Sequence, residues 1–255
     1  MPELNALHYC LFFVTGLVAG TVDAIAGGGG LITLPVMLGV GMPAPLVLGT
    51  NKLGAAFGTG SATWSYARRG AVDLRACVPG IIATVVGALA GSFLVRRLDP
   101  EFLGLVIPWL LVAIVIYMVF RPKLGESSRH HRMEPWLFYV LFGLGLGFYD
   151  GFFGPGVGSF WMIAFVGMLG LDFLRASAHA RVMNFASNLA ALGLFAASGT
   201  VLVVPGLVIG AGQLIGGRLG ASLALTRGAR FVRPIFLVMA GLTVLKLLYQ
   251  HHFHP

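Results

Sequence analysis

Apolar residues run through this chain in long uncharged blocks, separated by short polar and often basic interruptions. Ala76–Val95, Phe102–Phe120 and Gly151–Leu171 each reach about 20 residues. As helices rising about 1.5 Å per residue, such blocks are long enough to cross a hydrocarbon core of about 30 Å. None shows the ten-residue alternation of a membrane barrel strand. The pattern predicts five helical segments in a first half, over Leu4–Ala26, Leu31–Leu48, Leu53–Ala67, Ala76–Val95 and Phe102–Phe120. Five more follow in a second half, over Trp136–Tyr149, Gly151–Leu171, Val182–Ala197, Val201–Leu225 and Ile235–Tyr249. The expected fold is all-α, a polytopic helical membrane protein in one transmembrane domain, with residues 1–120 and 136–255 as two repeats. The basic stretch 121–135 joins them as a cytoplasmic linker. Whether the first two segments of each half cross fully or fold back as hairpins decides between eight and ten helices.

The two halves repeat one another about 127 to 129 positions apart. GTVDAIAGGGG (Gly20–Gly30) returns as GFYDGFFGPGVG (Gly147–Gly158), pairing Asp23 with Asp150, Gly27 with Gly154 and Gly29 with Gly156. After a two-residue slip, Lys52 falls opposite Arg181, Gly87 opposite Gly216 and Gly91 opposite Gly220. A duplicated apolar unit, broken by glycines beside a charge at the same place in each copy, is the signature of a secondary transporter.

Composition agrees, with 57% hydrophobic and 10% charged residues and a mean hydropathy of +0.89. The net charge of +8 changes the picture only through its distribution. Arg68, Arg69 and Arg75 flank the loop at Gly70, whereas the equivalent loop at Gly199 is uncharged. Conversely, the Arg96–Glu101 loop is balanced and its counterpart carries Arg227, Arg230 and Arg233. Equivalent loops of opposite basic content lie on opposite sides by the positive-inside rule. An odd number of crossings per repeat gives the same inversion. The expected setting is the cell inner membrane, with both termini facing outward into the periplasm. The charge thus reads as orientation signal and contact with the lipid bilayer, and nucleic acid is excluded as a partner. The N-terminus has no basic residue before its apolar stretch, so the first helix is expected to stay rather than be cleaved.

Lys52 and Arg181 are the first chemistry-bearing pair, each standing near the head of an apolar segment. An intramembrane cation finds a carboxylate or lines a wet cavity. These two are either an anion clamp related by the repeat or structural cations bridged to Asp23 or Asp150. Thr50 and Asn51 beside Lys52, and Asn184, Ser187 and Asn188 after Arg181, supply donors for a sulfonate or carboxylate. Asp23 and Asp150 are either proton-coupling groups or caps for backbone N–H groups at the break. Glycines of both boxes, among them Gly29, Gly30 and Gly156, permit unwound backbone from which a helix restarts with a positive dipole end, an arrangement that receives anions. A tight turn between packed helices is the plainer use of the same glycines. Small-xxx-small pairs such as Gly87/Gly91 and Gly212/Gly216/Gly220 read as close helix packing. No phosphate loop, dinucleotide fingerprint, metal-ligand spacing or paired His/Glu or Ser/His set occurs in the apolar segments. The chain is therefore expected to need no cofactor or metal, and not to be an enzyme.

DAIAGGGGLITLPVML (Asp23–Leu38), followed by LGTNKLGAAFGTGSATWSYARRGAVD (Leu48–Asp73), resembles the TauE/SafE family, the sulfite exporter or sulfonate permease family. In the second half GPGVGSFWM (Gly154–Met162) keeps the glycines, and HARVMNFASNLAALGLFAASG (His179–Gly199) departs from the TNK stretch. The resemblance implies transport of sulfite, sulfonates, sulfoacetate or related organic anions. The expected function is a secondary transporter, exporting such an anion by alternating access with possible proton coupling. A passive anion or small-solute channel is the competing reading.

Overall fold

The computed structural model describes residues 4–99, 101–102 and 133–227. Among them are eight helices and no strands: α1 (Ala6–Ala26), α2 (Gly30–Gly39), α3 (Ala44–Arg68), α4 (Val78–Val95), α5 (Pro135–Phe152), α6 (Val157–Leu169), α7 (Phe173–Ala197) and α8 (Val203–Arg227). The chain is an all-helical membrane protein. Helices α1, α4 and α8 are each long and apolar enough to cross a membrane. The expected segments Phe102–Phe120 and Ile235–Tyr249, and most of the linker, lie outside the described residues.

The limits of four expected segments are corrected. Leu31–Leu48 is not one helix: α2 has 10 residues and stops before Gly41, whose φ is 85°. Pro43 then caps α3, a helix of 25 residues, so that the boundary drawn between Leu48 and Leu53 falls inside it. Gly151–Leu171 is likewise interrupted, because α5 runs on to Phe152 and α6 has only 13 residues. At about 1.5 Å per residue α2 and α6 reach about 15 and 20 Å, well short of the hydrocarbon core. They are half-helices. α7 also starts earlier than expected, at Phe173, where the Asp172 side chain accepts from Arg175 N at 2.9 Å.

Packing between the halves is crossed. The first helix of each half lies along the fourth of the other, α1 on α8 and α4 on α5. Gly16 and Gly20 of α1 meet the backbone of Ile209 and Gln213, and Gly216 and Gly220 of α8 meet that of Leu17 and Thr21. In the same way Gly87 and Gly91 of α4 meet Leu144 and Phe148, and Gly147 and Gly151 of α5 meet Thr84 and Ala88. In lipid, apolar side chains gain little by associating, so close van der Waals contact between backbones holds such pairs together. Large apolar side chains at Val14, Val18, Ile82, Val86, Leu141 and Leu207 are exposed and form the lipid-facing surface. The buried interior instead collects Asp23, Asn51, Lys52, Asp150, Arg181, Asn184, Asn188 and Gln213. α3 and α7, which carry much of this polarity, pack against each other at the centre.

Candidate anion-binding site

The site is built around two helix ends that stop inside the bundle. The last four carbonyls of an α-helix have no partner of their own, and burial makes leaving them bare costly. At the end of α1, Arg181 Nη1 donates to the Asp23 carbonyl and the Tyr66 hydroxyl to Ala24 O at 2.8 Å. Ser177 Oγ reaches Ile25 O at 3.1 Å, and Ser159 Oγ donates to Ala26 O at 2.9 Å. At the end of α5, Lys52 Nζ donates to the Asp150 carbonyl and Ser92 Oγ to Gly151 O at 3.0 Å. A cation at each C-terminal end also complements the negative pole of the helix dipole.

Each cation then closes an ion pair with the carboxylate of the same residue. Lys52 Nζ is 2.6 Å from Asp150 Oδ1, with both side chains 2% exposed. Arg181 Nη1 is 2.7 Å from Asp23 Oδ2, the arginine fully buried. The pairing is again crossed, since each cation of one half serves the aspartate of the other. Lys52 and Arg181 therefore do not stand at segment heads as expected; they lie equally far inside α3 and α7. Ser187 Oγ donates to the second oxygen of Asp150. Asp23 Oδ1 accepts from Gly29 N at 2.9 Å and so caps the break before α2. The capping arrangement is present at Asp23, whereas Asp150 is held by Lys52 and Ser187.

The breaks interlock. Gly27 and Gly28 have φ of 85° and 94°, and Gly154 and Gly156 of 100° and 78°, values that a side chain would oppose. A Cβ on Gly27 would lie 2.6 Å from Gly158 C, and one on Gly30 would lie 3.3 Å from Pro155 Cα. The chain crossing the middle of one half is thus seated on that of the other.

Between them is a narrow cavity with about 20 Å³ of space for water, enough for about one molecule. Gly29, Gly30 and Gly156 line it at the N-terminal ends of α2 and α6, together with Asp23, Asp150, Asn51, Asn184 and Asn188. Lys52 and Arg181 stand behind the carboxylates, not among the lining residues. Asn51 Oδ1 accepts from Thr33 Oγ1 at 2.5 Å. Thr50 is placed elsewhere: its hydroxyl accepts from Leu202 N at 3.0 Å and ties α3 to the approach of α8. Three buried polar atoms here have no hydrogen-bond partner, Arg181 Nε, Arg181 Nη2 and Asn184 Oδ1. The described residues hold no cluster of metal-ligating side chains. Sequence reasoning missed Gln213 and Thr59, which also line the cavity. Gln213 lies against the bare backbone of Gly54 and Gly58, and its signal was an amide in the middle of a mainly apolar helix.

Residues 12–247 match the family model described as sulfite exporter TauE/SafE. A "Probable membrane transporter protein ORF9" of Sinorhizobium sp is 42% identical, covering 95% of this chain and 94% of that protein. A "Probable membrane transporter protein" of Haemophilus influenzae is 43% identical over 99% of this chain and 98% of its own. YfcA of Escherichia coli K12, with the same description, is 41% identical over 95% and 90%. No solved structure matches the chain. Matched over most of its length by that family model and by relatives of this identity, the chain belongs to the TauE/SafE family of membrane transporters.

Proposed function

We propose that this transporter moves a small organic or sulfur-containing anion, such as sulfite, a sulfonate or sulfoacetate, out of the cell by alternating access. The observation that carries the reading is the cavity between two half-helix N-termini, with partnerless donors on Arg181 beside it. Helix N-termini present free N–H groups and positive dipole ends to an anion. Asn51, Asn184 and Asn188 add amide donors. The crossed helix packing and crossed ion pairs support two inverted halves moving against each other about this site. In that scheme both termini face the periplasm across the inner membrane.

Charge sets the energetics. Lys52, Arg181, Asp23 and Asp150 sum to zero, so the empty site is neutral and a bound monoanion leaves it at −1. An inside-negative potential then favours outward movement of the loaded form by about 2.3 kcal/mol per 100 mV. A cavity of one water's size is too small for a sulfonate, so binding must part the halves and draw Lys52 or Arg181 toward the anion. The test is thermal unfolding of the detergent-purified protein with sulfite, alkyl sulfonates, sulfoacetate and carboxylates. A cognate anion at about 100 times its Kd adds about 2.7 kcal/mol, and Asn184→Leu diminishes that gain. An unfolding temperature unmoved by every anion, or a gain unchanged in Asn184→Leu, contradicts the assignment.

A further inference from the structure

A second, unrelated site lies on the outer surface. Near the C-terminal ends of α3 and α8 a groove of about 690 Å³ is lined by Arg68, Arg69 and Arg218, with Trp64, Ser65 and Ser222. Among the described residues that line it, none is acidic. Its position is what selects an occupant. Arg218 lies about two and a half turns before the end of α8. It is exposed among Leu214, Ile215 and Leu219, exposed apolar residues of the lipid-facing surface. An arginine at that depth needs an anionic partner that can itself enter the membrane interface. Trp64, 66% exposed, marks the headgroup level and takes the Arg68 guanidinium over its ring at 5.7 Å.

We propose that this groove binds the phosphodiester headgroup of an anionic phospholipid. Arg218 and Arg68 grip the phosphate as charge-assisted donors, and Ser65 and Ser222 supply hydroxyls to the rest of the headgroup. The acyl chains then run along the exposed leucines of α8. A soluble phosphate has the charge but not the chains.

The experiment compares the whole protein in nanodiscs of phosphatidylglycerol or of phosphatidylcholine, reading lipid retention by native mass spectrometry and stability by thermal unfolding. Phosphatidylglycerol should be retained and stabilising. Affinity should fall about fivefold for each arginine removed in Arg68→Gln and Arg218→Gln. Arg97→Gln, whose guanidinium lies 4.1 Å from the Phe93 ring, should retain the lipid as the unaltered protein does. Equal retention in the Arg68→Gln/Arg218→Gln double variant overturns the proposal. So does displacement of the lipid by soluble glycerol phosphate at comparable concentration. A photo-crosslinker at position 222, in the otherwise unaltered protein, should capture lipid; capture of another stretch of this chain also overturns it.

Discussion

Removing the charge of Lys52 tests the crossed architecture at its centre. At 2.6 Å the attraction between Lys52 and Asp150 is about 6 kcal/mol at an effective dielectric of about 20. Desolvation of both groups offsets most of it, so the pair's net contribution is small while the cost of breaking it is not. Lys52→Gln leaves the Asp150 carboxylate buried with Ser187 as its remaining side-chain partner. Stability should fall by about 3 to 5 kcal/mol, a large part of the ~5 to 15 kcal/mol typical of a folded protein. Asp150→Asn should do comparable damage by stranding the ammonium. The double variant Lys52→Gln/Asp150→Asn should recover most of the loss, because neutral amides leave no charge behind. Lys52→Gln/Asp23→Asn should not recover it, since Asp23 belongs to Arg181. The assay is membrane-inserted yield together with thermal unfolding in detergent for the four forms of each cycle, from which the coupling energy follows. Equal behaviour of the two double variants, or single variants as stable as the parent, would refute the crossed pairing.

Three further outcomes can be measured, two from helix packing and one from loop charge. Gly151→Val should cost at least about 1 to 3 kcal/mol by forcing α4 from α5, because a Cβ there lies 2.7 Å from the Ala88 backbone. Gly193→Ala, with nothing within 4 Å, should add about 0.5 to 1 kcal/mol in the same unfolding assay. Cysteines introduced at Ser128 and Thr226 should label only from the cytoplasm and one at Thr200 only from outside; labelling of Ser128 and Thr200 from one side would remove the inversion.

Much of this arrangement is legible in the sequence because lipid is a demanding solvent. Uncharged blocks identify the membrane helices, and charges that survive among them, at Asp23, Lys52, Asp150 and Arg181, mark the interior. The glycine breaks were equally readable, since few other residues tolerate the φ found at Gly27 and Gly156. Helix limits were not. From Leu34 to Gly49 the chain is apolar across the α2–α3 boundary, and the turn is signalled only by Gly41 and Pro43. The pairing of the two cations was left open, since either aspartate could serve either cation; the fold sends Lys52 to Asp150 and Arg181 to Asp23, each across to the other half. Thr50 illustrates the limit of adjacency: neighbours on a helix point about 100° apart, so a residue next to Asn51 in sequence serves a different helix.

If the proposed export moves one net charge with each anion, flux from proteoliposomes under an imposed potassium diffusion potential reports it most directly. Liposomes loaded with sulfite or a sulfonate should empty faster as the inside is made negative. The rate should saturate with anion concentration and fall in Asn184→Leu. Flux indifferent to the potential but following a pH gradient would show a proton travelling with the anion. Flux that fails to saturate would show a channel; the first result would exclude export as an uncompensated charge, and the second would exclude alternating access.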